Sequence, residues 1–168
     1  MATRSRIGIV NEDGTVSSIY CHWDGYVEGV GAYLVNFYTD RDKVKALIDL
    51  GAISCLRQEV APPPVFDTDD ENVVNGEKIL TKFGVMSRNH TFDKPMEGVT
   101  VAYHRDRGED YISPRVDKSL DDYFQDDIEE YGYAFTLDGV WLYKSGYSEE
   151  GDEGYIPQPV NEALAKET

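Results

Sequence analysis

The chain has 168 residues, 40% of them hydrophobic and 12% aromatic, which suits one domain with a real core rather than a disordered acidic chain. Against 16 Lys and Arg stand 32 Asp and Glu. The formal net charge of −16 repels phosphate backbones and anionic lipid, and so argues against direct nucleic-acid binding and membrane docking.

Two cysteines, Cys21 and Cys55, are too few for a disulfide framework and fit a reducing cytosol. The opening MATRSRIGIVNEDG lacks the apolar run of a signal peptide, and no stretch reaches the length of a membrane span. A cytoplasmic location is therefore expected. Asn89-His90-Thr91 matches a glycosylation sequon, which without a secretory signal reads as chance.

In chain order the sequence predicts an α+β fold. Arg6–Val10 and Val16–Tyr20 alternate as strands about Glu12-Asp13-Gly14, a hairpin turn in which Gly14 takes positive φ. Val30, Tyr33, Leu34 and Phe37 fall at helical spacing, predicting a helix over about 28–38 that Gly29 and Gly31 weaken. Thr39-Asp40 reads as the N-cap of a second helix, about 40–50, with Val44, Leu47 and Ile48 on one face and Gly51 as its stop.

Residues 57–98 read as a long irregular insertion. It contains the stiff Pro62-Pro63-Pro64, an acidic loop at Asp67-Thr68-Asp69-Asp70-Glu71, and a short paired strand between Lys78 and Val85. Val99–Tyr103 reads as a buried central strand. Ser119-Leu120-Asp121-Asp122 reads as a capping box that opens a helix to about Tyr131. Tyr133–Leu137 and Val140–Tyr143, joined by Asp138-Gly139, make the clearest hairpin. The expectation is a single domain over 1–147, with an antiparallel sheet built from the two hairpins and the strand 99–103, and two or three helices packed on it. Residues 148–168 read as an acidic tail, loosely held until Ile156.

The charge is uneven. Residues 99–168 hold six basic and 17 acidic side chains, whereas residues 1–56 hold five and seven. In the helix predicted from Ser119, the apolar side is Leu120, Tyr123, Phe124, Ile128 and Tyr131. Asp121, Asp122, Asp126, Asp127, Glu129 and Glu130 lie off that side, with no Lys or Arg among them. On a continuous helix Asp122 and Asp127 stand about 7.5 Å apart along the axis. Phosphates on one strand of duplex DNA advance about 3.4 Å per nucleotide, so alternate phosphates nearly match that spacing. Such a helix would imitate a strand of backbone and occupy the basic groove of a nucleic-acid-binding protein. The plain alternative is a solvated amphipathic helix.

A doubled tripeptide carries the competing chemistry. His22-Trp23-Asp24 and His104-Arg105-Asp106 each place imidazole and carboxylate two residues apart at a predicted strand end, where i and i+2 share a face. On neighbouring strands the four side chains would converge, as weak candidate ligands for a divalent metal or as an acid–base pair for hydrolysis. With Arg105 and Arg107 they outline a candidate ligand pocket for a small anion. Against this, each Asp orients its own His or caps a turn, and Arg105, Asp106, Arg107, Glu109 and Asp110 form an internal ion-pair network. No phosphate loop, Rossmann glycine spacing or nucleophile elbow is present, and no cofactor is implied.

Ile19-Tyr-Cys-His-Trp-Asp-Gly-Tyr26 with Gly29 and Gly31, then Ala52-Ile-Ser-Cys-Leu56, then Ala102-Tyr-His-Arg-Asp-Arg-Gly-Glu109, together resemble a family of short bacteriophage accessory proteins. The similarity covers most of the chain from Thr3 to Tyr143, with the loop 57–98 and the tail as variable ground. It implies a protein made in the host cytoplasm during infection and brings no activity to transfer. Two expectations follow. One is a binding protein, with no catalytic residue, that inhibits a host nucleic-acid-handling or defence protein through its acidic, DNA-mimic-like surface. The other is a small metal-assisted hydrolase or small-ligand binder using the two His-x-Asp pairs.

Overall fold

A computed structural model describes residues 2–61, 90–146, 148–151 and 154–165, with the backbone of four short strands between 73 and 85. β1 (Ser5–Val10) and β2 (Val16–Cys21) form the first hairpin, with Ile7 opposite Ile19. Its turn closes as the Gly14 N–H donates to the Asn11 carbonyl at 2.9 Å, with Gly14 at φ +87°. A π-helical turn (Val27–Gly31) runs into α1 (Ala32–Phe37). Asp40 then caps α2 (Arg41–Asp49), its carboxylate accepting the Asp42 N–H at 3.1 Å.

After β3 (Ile53–Cys55) come two small ladders: β4 (Val73–Val74) with β5 (Glu77–Lys78), and β6 (Leu80–Thr81) with β7 (Gly84–Val85). Pro62–Pro64 and Asp67–Glu71 lie outside the described residues. The chain continues through β8 (Val101–Ala102), α3 (Tyr103–Arg107), β9 (Arg115–Asp117) and α4 (Leu120–Gln125). It ends with β10 (Tyr131–Phe135), β11 (Trp141–Ser145), β12 (Gln158–Pro159) and α5 (Val160–Ala165).

Eight strands make one sheet in the order β12-β11-β10-β1-β2-β3-β8, with β9 paired to the opposite end of β2 from β3. The α+β class is as expected, but the sheet is mixed rather than antiparallel: β1 runs parallel to β10, and β2 parallel to β3. Turn chemistry dictates pairing only within a hairpin. Between the hairpins lies the connection over residues 22–130, and a crossover of that length permits the parallel pairing that a tight turn forbids.

Two predicted elements are shorter than expected, for local reasons. The strand over 99–103 is reduced to Val101–Ala102, because the Asp106 carboxylate accepts the Ala102 N–H at 2.8 Å and the chain turns into α3. α4 opens as predicted, with Ser119 Oγ accepting the Asp122 N–H at 3.1 Å, but it stops at Gln125 instead of reaching Tyr131. There Asp126 accepts its neighbour's N–H at 2.8 Å and Asp127 accepts the Glu129 N–H at 3.0 Å. These side-chain bonds replace helical ones, and Glu129 takes φ +63°.

The sheet is covered on both faces. On one, Ile7, Ile9, Ile19, Tyr133, Phe135, Trp141 and Tyr143 pack with Val30, Leu34, Val44 and Leu47 from the helices. On the other, Val10, Val16 and Ala134 meet Tyr123, Phe124 and Ile128 of α4 and the turn after it. The end of the acidic tail belongs to the domain: β12 pairs with β11, and Val160 and Ala163 are buried in the larger core. No helix among the described residues is long and apolar enough to cross a membrane.

Candidate functional site

β3, β8 and α3 gather the second His-x-Asp motif around a buried charge cluster. Asp106 turns its carboxylate inward, where it accepts from Arg105 Nε (2.8 Å) and Nη2 (3.0 Å), from the Ala102 N–H (2.8 Å) and from His90 Nε2 (3.2 Å). The side chains of Asp106 and His90 are both 0% exposed. Because the Met96 N–H donates to His90 Nδ1 at 2.9 Å, the proton of the neutral ring sits on Nε2, aimed at Asp106 and the Thr100 carbonyl. Arg105 also donates to the carbonyls of Val60 (2.5 Å) and Thr100 (2.6 Å). Burial alone raises the Asp106 carboxyl, but the hydrogen bonds from His90 and Arg105, the Arg105 charge and the Ala102 N–H outweigh it and hold the carboxyl below its ordinary value. The cluster ties the segment after the insertion to the sheet. His90 was visible in the sequence only as part of a sequon, and no spacing signal linked it to Asp106.

The four residues of the doubled motif do not form one constellation. His104 and Asp106 sit on a helix, where i and i+2 diverge by about 200° instead of sharing a face. His104 is exposed; its Nδ1–H donates to the Glu109 carbonyl at 2.7 Å and its ring stands against Tyr111. His22 shares a 2.7 Å hydrogen bond with the Tyr20 hydroxyl and lies edge-on to Trp23. Asp24, at φ +59°, accepts from the Tyr26 hydroxyl at 3.2 Å and borders a groove of about 330 Å³ with Trp23, Cys55, Arg57 and Phe92. Arg107 pairs with Glu109 at 3.5 Å and covers the Phe92 ring. Among the described residues no group of three or more His, Cys, Asp or Glu is placed to hold a metal ion.

The glycine that follows Asp24 has a packing reason. A Cβ at Gly25 would stand 2.8 Å from the Thr3 carbonyl oxygen, while the Gly25 carbonyl accepts the Tyr133 hydroxyl at 2.6 Å. Motif residues Gly25 and Asp106 thus serve the fold.

The acidic segment divides in two. Asp121, Asp122, Asp126 and Asp127 are exposed, whereas Glu129 and Glu130 are half-buried and Glu130 accepts the Arg4 N–H at 2.6 Å. Asp127 lies beyond the helix end, so the regular 7.5 Å spacing expected from Asp122 on a continuous helix is lost. Nor is the segment without cations. Arg115 pairs with Asp117 at 3.0 Å, reaches Asp126 at 3.7 Å and donates to the Asp127 carbonyl at 2.7 Å, and Lys144 Nζ donates to the Phe124 carbonyl at 3.3 Å. Both cations come from neighbouring strands, out of view of the helix sequence.

A small pocket completes the surface. It holds about 190 Å³ and is lined by Tyr20, Ala52, Tyr103, His104, Glu109, Asp110 and Ile112. Comparison with protein-family models, with curated proteins and with solved structures finds no match to this chain.

Proposed function

We propose that the protein is a binding protein whose acidic face occupies the basic groove of a nucleic-acid-handling protein, in the bacterial host that its phage-like motifs suggest. One observation carries the reading. Asp121, Asp122, Asp126 and Asp127 are exposed on a short element whose inner side, Tyr123, Phe124 and Ile128, is buried against the sheet. Carboxylates on such a mount lose little freedom on binding. Residues 115–130 carry seven acidic and two basic side chains, so the face stays negative after Arg115 and Lys118 are counted. With α4 ending at Gln125, the face works as a patch of charge and not as a phosphate-by-phosphate copy.

Exposed charges act through screened Coulomb attraction, which sets the test. The purified chain is used as bait in bacterial lysate at low and high salt, beside a variant with Asp121→Lys and Asp122→Lys. Neither side chain makes an ion pair or hydrogen bond among the described residues, so the reversal leaves α4 and its Ser119 cap in place. The expected capture is a protein with a basic nucleic-acid groove, released as salt rises through about 0.5 M, and retained at least about tenfold less by the variant. Salt-insensitive capture, or capture undiminished by the double reversal, refutes the reading.

A further inference from the structure

We infer that the pocket between β2, β3 and α3 takes a single cationic side chain, an arginine or lysine of the basic partner. Val16, Ser18 and Tyr20 alternate onto one face of β2, and Val16 packs beneath α4. Tyr20 therefore opens on the sheet face that carries the acidic turn, four residues or about 13 Å farther along the strand. One partner surface spans both.

The chemistry of the lining selects the charge. Tyr20 and Tyr103 supply aromatic walls, and the Tyr20 hydroxyl is occupied by His22 at 2.7 Å. Aromatic rings in a lining attract cations to their faces. His104 donates through Nδ1 to the Glu109 carbonyl and is held in the lining by that bond. Glu109 and Asp110 add carboxylates. Glu109 is partly offset by Arg107 at 3.5 Å, whereas Asp110 has no ion pair among the described residues. Among the described residues no Lys or Arg lines the pocket, and its two ionisable carboxylates are acceptors. A ligand that donates hydrogen bonds complements these carboxylates, and a cation does so most strongly.

Size narrows the class further. About 190 Å³ is below the ~300–1,000 Å³ of pockets for drug-sized ligands, and fits the end of one long side chain. At the rim, Tyr111 and Ile112 are 46% and 65% exposed, apolar surface of the kind that seals water from an anchored residue. That the cation belongs to a protein partner rests on the function proposed above; the selectivity of the pocket does not.

The test uses n-butylguanidinium and its neutral isostere n-butylurea, titrated into the full chain and followed by the NMR signals of Tyr20, Ala52, Tyr103 and His104. The cation is expected to bind about three- to thirtyfold more tightly than the urea. Asp110→Asn and Tyr20→Leu should each cut that preference at least about twofold, while spectra elsewhere stay native. The Asp121→Lys, Asp122→Lys variant should keep it. Equal binding of the two probes, tighter binding of n-pentanoate, or shifts confined to other residues overturns the assignment. Those results leave the salt-dependent capture standing, and failed capture leaves a cation-selective pocket standing, so the two readings fail separately.

Discussion

Replacing Asp106 by Asn removes one charge from a site with no water to take its place. The Asp106 side chain is 0% exposed and accepts from Arg105, His90 and the Ala102 N–H, while the Arg105 side chain is only 11% exposed. Asn preserves the outline but turns one acceptor oxygen into a donor facing other donors, and leaves the guanidinium uncompensated. Breaking a buried pair in this way costs about 3–5 kcal/mol. At about 2–4 °C per kcal/mol for a chain of this size, Tm falls by about 6–20 °C.

The pH dependence supplies a second readout. The folded carboxyl of Asp106 is held below its ordinary value, so its contribution is fully present above the ordinary carboxylate range of about pH 4. It is lost as the pH falls through the lower folded value. Urea midpoints measured from neutral to acid pH should therefore fall for the wild type across that window, and the Asp106→Asn protein should lack this component. Hydrogen exchange over residues 90–107 should speed up first, since the cluster anchors that segment. A variant within about 1 kcal/mol of wild type, or one with the same acid slope, refutes the assignment of the cluster as the anchor.

Tyr123→Phe deletes a hydroxyl that donates to the Tyr133 carbonyl at 2.7 Å and the Arg6 carbonyl at 3.2 Å, and should lower stability by about 1–2 kcal/mol in urea unfolding without shifting the far-UV spectrum. Gly25→Ala places a methyl 2.8 Å from the Thr3 carbonyl oxygen, and should cost about 1–3 kcal/mol with loss of protection at the Gly25 N–H, which now donates to that carbonyl at 2.8 Å. Burial pushes the Cys21 thiol up to about 12, so iodoacetamide at pH 8 should leave it unmodified by mass spectrometry until the protein unfolds.

Much of the secondary structure was legible because its causes are local. The Asp40 and Ser119 caps, the Gly14 and Gly139 turns, and the inward faces Val44-Leu47-Ile48 and Tyr123-Phe124-Ile128 each depend on residues within a few positions of one another. The end of α4 was also local, written in the backbone-seeking carboxylates of Asp126 and Asp127, which helical spacing alone does not register. The candidate site was legible only as a set of residue types. Exposure of Asp121, Asp122, Asp126 and Asp127 follows from the apolar stripe beside them, but the cations that approach them do not.

Composition, caps, turns and periodicity by themselves determined an acidic α+β domain with two hairpins and an amphipathic acidic helix opening at Ser119. Only tertiary structure decided that the hairpins join in parallel through β1 and β10, since no short-range turn links them. It also turned Asp106 inward to meet His90 from 16 residues away and His104 outward, which dissolved the paired motif that strand geometry had suggested. Arg115 reached Asp126 from β9, and Tyr20 came to line one pocket with His104 and Asp110. Each of these depends on how distant segments pack, and buried charge and close packing settle that only when the whole chain has folded.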